Sequence, residues 1–399
     1  MTSFDRSSIS LKRLAAPIPA SLAASALGLV GLIIGLFVDP TRTYFGYLAA
    51  YYWAATTAVG VLIFLLIGHA SKASWFVVIR RLTEAASDTL PLFALLFIPL
   101  CFGLSRIYPW ARPLDAMDEA MRHHVEHKRA WLNVPFFVVR AAVYFVIFVG
   151  VAGWLRRMSI RNDRVRSFAL VERMRAVSGV TLIVVGFGVS FIGFDWSMSL
   201  QPGWYSTMFG FFTFAGAFAG AMGVTSMMVY FAATHGPLGG VLTPDHTHAL
   251  GRLLLTSVIF WAYISFGQLV IIWMGDIPEE SAFYAARTRG SWTGINYLLV
   301  FGHFIGPFLI LLLRDVKRHP SQLAALGAWV LGAHYVDVYW QILPTCDAAG
   351  VRPHWVDLSG LLFVGGLATA VALWRYRAAA AIPPHDPELG AALRYEAAL

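Results

Sequence analysis

Three polar side chains stand at helical spacing inside one apolar stretch near the C-terminal end of this sequence. His334, Asp337 and Gln341 follow one another at intervals that place them on one face of a helix. Tyr335 and Tyr339 flank that face. A histidine, a carboxyl group and an amide in a row can pass a proton from one group to the next. The spacing therefore predicts proton-transfer chemistry in an apolar environment.

Further polar residues lie in other apolar stretches. His303 stands near the middle of the preceding stretch, and Gln268 stands in the one before that. Arg140 and Asp195 belong to two earlier stretches. A buried arginine needs a counter-charge, and Asp195 and Asp337 are the candidates. The candidate proton pathway consists of Asp337, His334, His303, Asp195, Arg140, Gln268, Gln341 and Tyr335.

Two interpretations of these polar residues remain open. In the first, histidines and carboxyl groups pass protons through part of a membrane, with hydroxyl groups, amides and water between them. In the second, the same side chains form a static hydrogen-bond network between helices, with Arg140 paired to a carboxylate and His334 neutral. The polar residues of the candidate pathway concentrate from mid-membrane outward. The inner half of the stretches offers mainly Ser, Thr and Tyr, with His69 and His235 near the inner surface, so no complete two-sided proton path is visible.

Ten apolar stretches must position these residues, and they fill most of the 399-residue chain. With 58% hydrophobic residues, 13% charged residues and a mean hydropathy of +0.65, the chain is more apolar than soluble proteins are. Most stretches reach the roughly 20 residues that a membrane-crossing helix needs, and the alternation of a membrane β-barrel is absent. The sequence therefore predicts an all-α integral membrane protein. The ten predicted transmembrane helices are 19–38, 45–68, 90–105, 132–155, 177–199, 204–232, 251–275, 292–313, 321–343 and 355–374.

Basic residues predict the orientation, because short cytoplasmic loops retain Lys and Arg. The connector 156–175 is arginine-rich, and three further basic segments fall on the same side when ten helices are counted. Both termini are therefore expected in the cytoplasm, and the first helix is expected to be retained rather than cleaved. The net charge of +8 then reflects topology and does not indicate nucleic-acid binding. The three further segments are Arg6, Lys12 and Arg13; Arg314, Lys317 and Arg318; and Arg375 and Arg377.

Two polar segments between the predicted spans are expected to form surface helices. In 71–90, apolar residues are interleaved with Lys72, Arg80, Arg81 and Glu84, which is typical of a helix at the inner membrane interface. In 114–128, acidic and basic residues are expected to be solvated or to face a partner on the outer side.

The segment 235–248 contains three histidines and Asp245. His246 and His248 make only a weak metal-binding motif, so no metal site is expected. Because the segment leads into the seventh predicted helix, Asp245 or Thr247 is expected to cap that helix.

Small residues in two spans predict close helix packing. Gly31 and Gly35, and likewise Gly216 and Gly220, are separated by one helical turn. Such faces let helices approach closely in lipid. They indicate a compact bundle, and they leave open a flat face for a neighbouring subunit.

The two cysteines limit the redox chemistry of the chain. Cys101 lies in the third predicted helix and Cys346 in an outer loop, so no disulfide between them is expected. The sequence has no C-x-x-C-H motif for haem and no set of four cysteines for an iron–sulfur cluster. It also lacks a P-loop and an H-E-x-x-H motif. Any electron carriers are therefore expected on other chains.

Two stretches of the chain resemble a known family. Residues 194–210 read FDWSMSLQPGWYSTMFG, and residues 260–268 read FWAYISFGQ. The second stretch continues with Ile272 and Trp273, then DIPEE at 276–280, and closes with Arg287 and Trp292. Together they resemble the second large quinol-oxidoreductase membrane subunit of bacterial alternative complex III, a branch of the NrfD-like membrane subunits of polysulfide reductase type. In that family a histidine often stands at the position of Gly203, which puts an ionisable role there in doubt.

The resemblance covers nearly the whole chain and implies an architecture. It implies a single membrane domain, 1–399, with two four-helix bundles at 45–199 and 204–343 and one outer helix at each end. It also implies a complex in the bacterial inner membrane that oxidises menaquinol. Electrons then pass through iron–sulfur clusters and haem c on partner subunits, one partner being a homologous NrfD-like subunit. This subunit is expected to conduct protons and to bind no redox cofactor, while menaquinone binding stays open.

The sequence thus predicts a non-catalytic membrane subunit of a quinol oxidoreductase. Two rival functions remain: a stand-alone secondary transporter, in which the buried charges bind a substrate or coupling ion, and a purely structural scaffold. Broken helices at matching positions of two halves would favour the transporter. No clear pair of such helices is visible in the sequence.

Overall fold

The computed structural model describes residues 17–397, and every regular element in that range is a helix. The basic residues Arg6, Lys12 and Arg13 of the predicted cytoplasmic tail lie outside these described residues. The helices are α1 Pro17–Val38, α2 Pro40–Ala70, α3 Phe76–Ser87, α4 Leu90–Phe102, α5 Leu104–Ile107, α6 Glu119–His127, α7 Val134–Val165, α8 Phe168–Ile192, α9 Met208–His235, α10 Pro244–Gly275, α11 Pro278–Arg287, α12 Trp292–Leu298, α13 Gly306–Leu312, α14 Arg314–Arg318, α15 Pro320–Ile342, α16 Trp355–Arg377 and α17 Leu389–Leu393.

Nine helical segments within 17–397 are long and apolar enough to cross a membrane. Three of them are composite, because α3 joins α4, α8 continues to Leu200, and α12 joins α13. Large apolar side chains cover their outer faces, with Phe37 86% and Phe102 79% exposed. So much exposed apolar surface is unfavourable in water, whereas it is compatible with contact with lipid. The fold class is confirmed: the chain is an all-α, multi-pass membrane protein.

The predicted ninth span corresponds to α15, whose 23 residues measure about 35 Å at the rise of an α-helix. It is long enough to cross, but it is not among the nine apolar segments. The polar residues His334, Asp337 and Gln341 make α15 less apolar than those nine segments. These three side chains are all buried inside the protein, so lipid does not meet them.

The arginine-rich connector is mostly helical. α7 runs through Val165 and α8 begins at Phe168, so only Arg166 and Ser167 separate them. Arg166 takes a left-handed conformation with φ of 55° and ends α7. The two spans are therefore longer at this end than the apolar pattern predicts.

The prediction of an interfacial helix in 71–90 is wrong. Every residue of α3 is buried, including Arg80, Arg81 and Glu84. These charges pair with one another and with other parts of the chain, so they do not need an aqueous face. The second predicted surface helix is confirmed in part as α6, which Asp118 caps by accepting from Met121 N.

α2 and α9 form the centre of the helix packing. α2 is buried over most of its length and packs against α8, α9 and α16, while α9 also packs against α10 and α15. The first and last spans, α1 and α16, lie side by side. Gly28 and Gly31 allow this, because a Cβ at either would come within 2.5 Å of Ser359.

The prediction that Asp245 or Thr247 caps the seventh span is wrong. Thr243 is the N-cap of α10, and it forms a capping box with His246. Asp245 pairs with Arg318 at 2.9 Å, and Thr247 donates to the carbonyl of Pro244.

Candidate functional site

Asp337 is the centre of a buried polar site on α15. Its carboxyl Oδ2 accepts hydrogen bonds from Trp261 Nε1 at 3.2 Å and from Gln341 Nε2 at 3.1 Å. His334 Nδ1 lies 3.8 Å from the same oxygen. Within the described chain, Oδ1 has no hydrogen-bond partner. Since Asp337 is 1% exposed, its carboxyl group is held by two neutral donors and one titratable ring.

His334 lies against a face of α9 that has no side chains. A Cβ at Gly216 would approach His334 Cε1 to 2.8 Å, and one at Gly220 would approach Cδ2 to the same distance. The spacing of Gly216 and Gly220 therefore makes room for an imidazole ring inside the protein. Neither ring nitrogen of His334 has a hydrogen-bond partner among residues 17–397. Thr57 Oγ1 also lies beside Gly220, and it is likewise without a partner in that range.

His303 is the third titratable side chain of the site. It lies in a π-helical segment, Leu299–Ile305, between α12 and α13. Its ring centroid is 3.9 Å from that of Trp261 and 6.5 Å from that of His334. His303 is fully buried, and both its nitrogens lack a partner in the part of the chain described. His303 and the carboxyl group of Asp337 therefore both contact the indole of Trp261, and His334 lies next to each of them.

Two amides extend the site in different directions. Gln341 contacts Ser197, whose Oγ lies 3.5 Å from Gln341 Oε1. Gln268 donates to the hydroxyl of Tyr284 on α11 at 3.1 Å. Of the two predicted pathway amides, the structure brings Gln341 into direct contact with Asp337 and leaves Gln268 outside that contact.

Arg140 and Asp195 form a separate unit. Arg140 Nε and Nη2 donate to the two oxygens of Asp195, both at 2.8 Å, and Tyr144 and Trp131 donate to the same carboxylate. Arg140 Nη1 donates to the carbonyl of Trp131, and the guanidinium stacks 4.2 Å from that indole. The sequence left two counter-charges open for Arg140, and the structure selects Asp195. Asp337 has no arginine or lysine within 4 Å in residues 17–397.

The two buried units approach each other through a second π-helical segment. Asp195 lies in Gly193–Ser197, which continues α8, and Ser197 lies two residues further along. Ser197 then contacts Gln341 beside Asp337. π-Helical turns are frequent at functional sites because they re-aim side chains. No pattern in the sequence predicts either of the two π-helical segments.

Tyr335 belongs to the predicted pathway, but its side chain does not face the site. Its ring packs against Trp53 at 5.8 Å and Tyr339 at 6.2 Å. It follows His334 directly, and neighbouring positions of a helix point in different directions. The structure does not bring the Tyr335 hydroxyl into hydrogen-bond contact with Asp337 or His334.

Sequence reasoning missed a buried ion cluster beyond α15. Arg42, the third residue of α2, binds Asp357 at 2.6 Å and Asp347 at 3.2 Å, and it donates to the hydroxyl of Tyr339. Burial raises the pKa of the Asp347 carboxyl above its ordinary value, against the opposing effect of Arg42. The position of Arg42 at the start of an apolar run was the available signal.

A second missed cluster ties the C-terminal segment to α3. Arg80 Nη1 donates to Asp386 at 2.6 Å, and Arg81 donates to Glu84 at 3.0 Å and to Asp163 at 2.5 Å. Arg80, Arg81 and Glu84 are each almost fully buried. These pairs fix the chain that follows α16 across the ends of α3 and α7.

No protein-family model and no curated protein matches this chain. The class is therefore defined by the fold and the site alone. It is a multi-pass α-helical membrane protein with a buried carboxyl–histidine site. Among the described residues, no group of three or more His, Cys, Asp or Glu side chains could hold a metal ion.

Proposed function

We propose that this chain is a membrane subunit of a quinol oxidoreductase of the alternative complex III type, and that its Asp337 site conducts protons. The observation that carries the proposal is that Asp337 lies beside titratable rings and not beside a fixed counter-charge. Its Oδ2 is 3.8 Å from His334 Nδ1, the ring of His303 is 6.5 Å from that of His334, and no arginine or lysine lies within 4 Å of Asp337 in residues 17–397. A carboxyl group in this setting can exchange a proton, whereas Arg140 holds both oxygens of Asp195.

The residues behind the family resemblance support the proposal by their position. Trp261 donates to Asp337, and Ser197 contacts Gln341. Arg287 donates to the carbonyls of Trp340 and Gln341 at the end of α15. Both resembling stretches thus surround one end of the candidate site, as residues shared for a common function would.

The proposal gives each group a role. His334 and Asp337 lie 3.8 Å apart, so they exchange a proton through one bridging water or after a small rotation of the imidazole, and His303 accepts or supplies the proton beside Trp261. Gln341 and Ser197 lead from Asp337 towards the Asp195 end of the site. Arg140 stays paired with Asp195 and holds the local charge balance. The chain itself binds no redox centre, so haem c and iron–sulfur clusters belong to partner subunits, and menaquinone binding stays open.

The proposal also includes the location. The chain lies in a bacterial inner membrane with ten spans, α15 being the ninth in chain order, and both termini are cytoplasmic. The basic ends of α7, α14 and α16 then share the cytoplasmic side.

The secondary transporter is the second candidate, because π-helical segments interrupt two of the spans. Transporters use interrupted helices at matching positions of two repeats. Here the interruptions fall in the fifth and eighth predicted spans, which are the fourth helix of one proposed bundle and the third of the other. These positions do not correspond, so the oxidoreductase subunit remains the better proposal.

Isolation of the protein from its native membrane in mild detergent tests the proposal. We expect the chain to co-purify with haem-containing and iron–sulfur proteins and with menaquinol oxidation activity. A matched preparation carrying Asp337→Asn should show the same partners. Recovery of a single chain that transports a solute in liposomes would instead establish the transporter.

A further inference from the structure

A cavity of about 640 Å³ lies beside the candidate site. It runs from Tyr376 near the end of α16 and Ser321 near the start of α15 to Trp53 and Thr57 of α2. Protein interiors leave few voids larger than a water molecule. The volume matches that of ligand-binding pockets, which is roughly 300–1,000 Å³. A space of this size inside a helix bundle needs an occupant.

The cavity opens sideways between two helices. α15 packs against α9 and α2, while α16 packs against α1, α2 and α3, so a gap remains between α15 and α16. The rim residues Met227, Ala325 and Thr369 are exposed, whereas Ala58 and Phe93 at the floor are buried. Since α2, α9 and α16 are membrane-crossing helices, the gap opens towards the hydrocarbon of the bilayer.

The lining suits hydrocarbon and does not suit water. It consists of apolar side chains with a few hydroxyl groups, and it contains no charged residue and no histidine. Buried water needs two to four polar partners, which this wall does not supply. A flexible hydrocarbon chain matches both this lining and the volume of the cavity.

Two lining hydroxyl groups are buried and have no partner in the described residues: those of Tyr376 and Thr57. Tyr376 lies near the end of α16, where the ester groups of a phospholipid leaflet would lie, and its hydroxyl can donate to an ester carbonyl. Thr57 lies at the opposite end and shares the Gly220 surface with His334.

We propose that one acyl chain of a membrane phospholipid occupies this cavity. It enters between α15 and α16, accepts a hydrogen bond from Tyr376 at its ester carbonyl, and extends towards Thr57. The bound acyl chain then keeps water away from His334 on the side that faces the cavity. This inference rests on the cavity and does not depend on the proposed oxidoreductase function.

Photo-crosslinking tests the proposal. The purified native assembly is placed in vesicles of phosphatidylethanolamine and phosphatidylglycerol with a trace of phosphatidylcholine that carries a diazirine on one acyl chain. We expect adducts on floor residues such as Ala58 and Met228. Parallel vesicles carry the diazirine on an isoprenoid chain instead. Floor adducts from the isoprenoid probe alone would contradict an acyl occupant.

Matched variants locate the entrance. Ala325→Trp and Thr369→Trp place a large ring at the rim, and each should lower the floor adducts at least severalfold. Ala328→Trp changes an exposed residue one turn along α15 that does not line the cavity, and it should leave them unchanged. Adducts on exposed Phe37 report retained folding in every variant. Adducts confined to outer residues, or oxidation of Met228 by hydroxyl radicals generated in water, would overturn the proposal.

Discussion

Asp195 and Asp337 are both buried carboxyl groups at membrane depth, yet their neighbours differ. Asp195 binds a guanidinium through both oxygens and accepts two further hydrogen bonds. Asp337 has a histidine at 3.8 Å and two neutral donors. A fully paired charge is held in one state, whereas a carboxyl group next to a titratable ring can exchange a proton. The first is therefore structural and the second is the functional candidate.

Parallel amide substitutions separate these two roles. Asp195→Asn leaves Arg140 buried without its counter-charge, which should cost about 3–5 kcal/mol of stability. Asp337→Asn removes no arginine partner and should cost about 1 kcal/mol or less. The measurement is the apparent unfolding temperature of the purified protein in detergent. Equal losses in both variants would contradict the assignment of Arg140 to Asp195 alone.

Gly220 is expected to be intolerant of even one added carbon. A Cβ there would lie 2.7 Å from Thr57 Oγ1 and 2.8 Å from His334 Cδ2, so Gly220→Ala must displace the imidazole. Overpacking of this kind costs about 1–3 kcal/mol. In Gly267→Ala the new Cβ meets nothing within 4 Å, so that control should be neutral or slightly stabilising. Thermal unfolding of both variants gives the comparison, and equal tolerance would argue against the placement of His334.

At the residue scale, helical spacing alone predicted that His334, Asp337 and Gln341 share a face, because all three belong to one helix. The partner of Arg140 could not be decided, since its two candidates lie on different helices. The role of Gly216 and Gly220 was seen only as close packing. That an imidazole fills the space depends on how α15 and α9 are aligned, which no local pattern specifies.

At the scale of elements, α3 shows why charge patterns mislead in membrane proteins. Apolar residues interleaved with charges describe an interfacial helix and equally a buried helix whose charges are paired. Deciding between them requires Asp163 and Asp386, which are distant in sequence. The π-helical segments at Asp195 and His303 are hidden for a related reason, because a single extra residue in a turn leaves the apolar pattern intact.

The buried charges of α3 are expected to stabilise the fold. Glu84 pairs with Arg81 at 3.0 Å and with Arg80 at 3.5 Å. Glu84→Gln keeps the shape and removes the charge, and it should cost about 1.5–3 kcal/mol, the usual contribution of a hydrogen bond to a charged group. Arg157→Gln, at an exposed position on α7, should change stability by less than about 0.5 kcal/mol. A helix that lay on the membrane surface would show little difference between the two.

For the whole molecule, composition predicted the class and most spans, because a bilayer demands long apolar helices whatever the protein does. The lengths of α7 and α8 were underestimated at the ends that the 156–175 connector joins, since both continue as polar helices beyond the apolar run. The side-by-side placement of α1 and α16 was not predicted, because both ends of the chain are needed to form that contact.

Cys346 offers a test of the topology. It follows α15 in a turn, and burial raises the pKa of its thiol to about 11. Because the thiolate is the reactive form, modification should be slow at pH 7 and should accelerate about tenfold per pH unit below that pKa. A membrane-impermeant methanethiosulfonate reagent should reach Cys346 from the outer face only, and Cys346→Ser should abolish the signal. Modification from the cytoplasmic face would reverse the proposed orientation.

The most direct test of the central claim is the number of protons translocated per electron by the native assembly in sealed vesicles. Asp337→Asn keeps the shape of the carboxyl group but cannot take up a proton. Proton transfer through the site should slow by about 10²-fold or more, so the proton yield should fall while the assembly and its partners remain intact. Asp276→Asn, at an exposed position after α10, is the control and should keep the normal yield. A normal proton yield in a normally assembled Asp337→Asn variant would contradict proton conduction through this site.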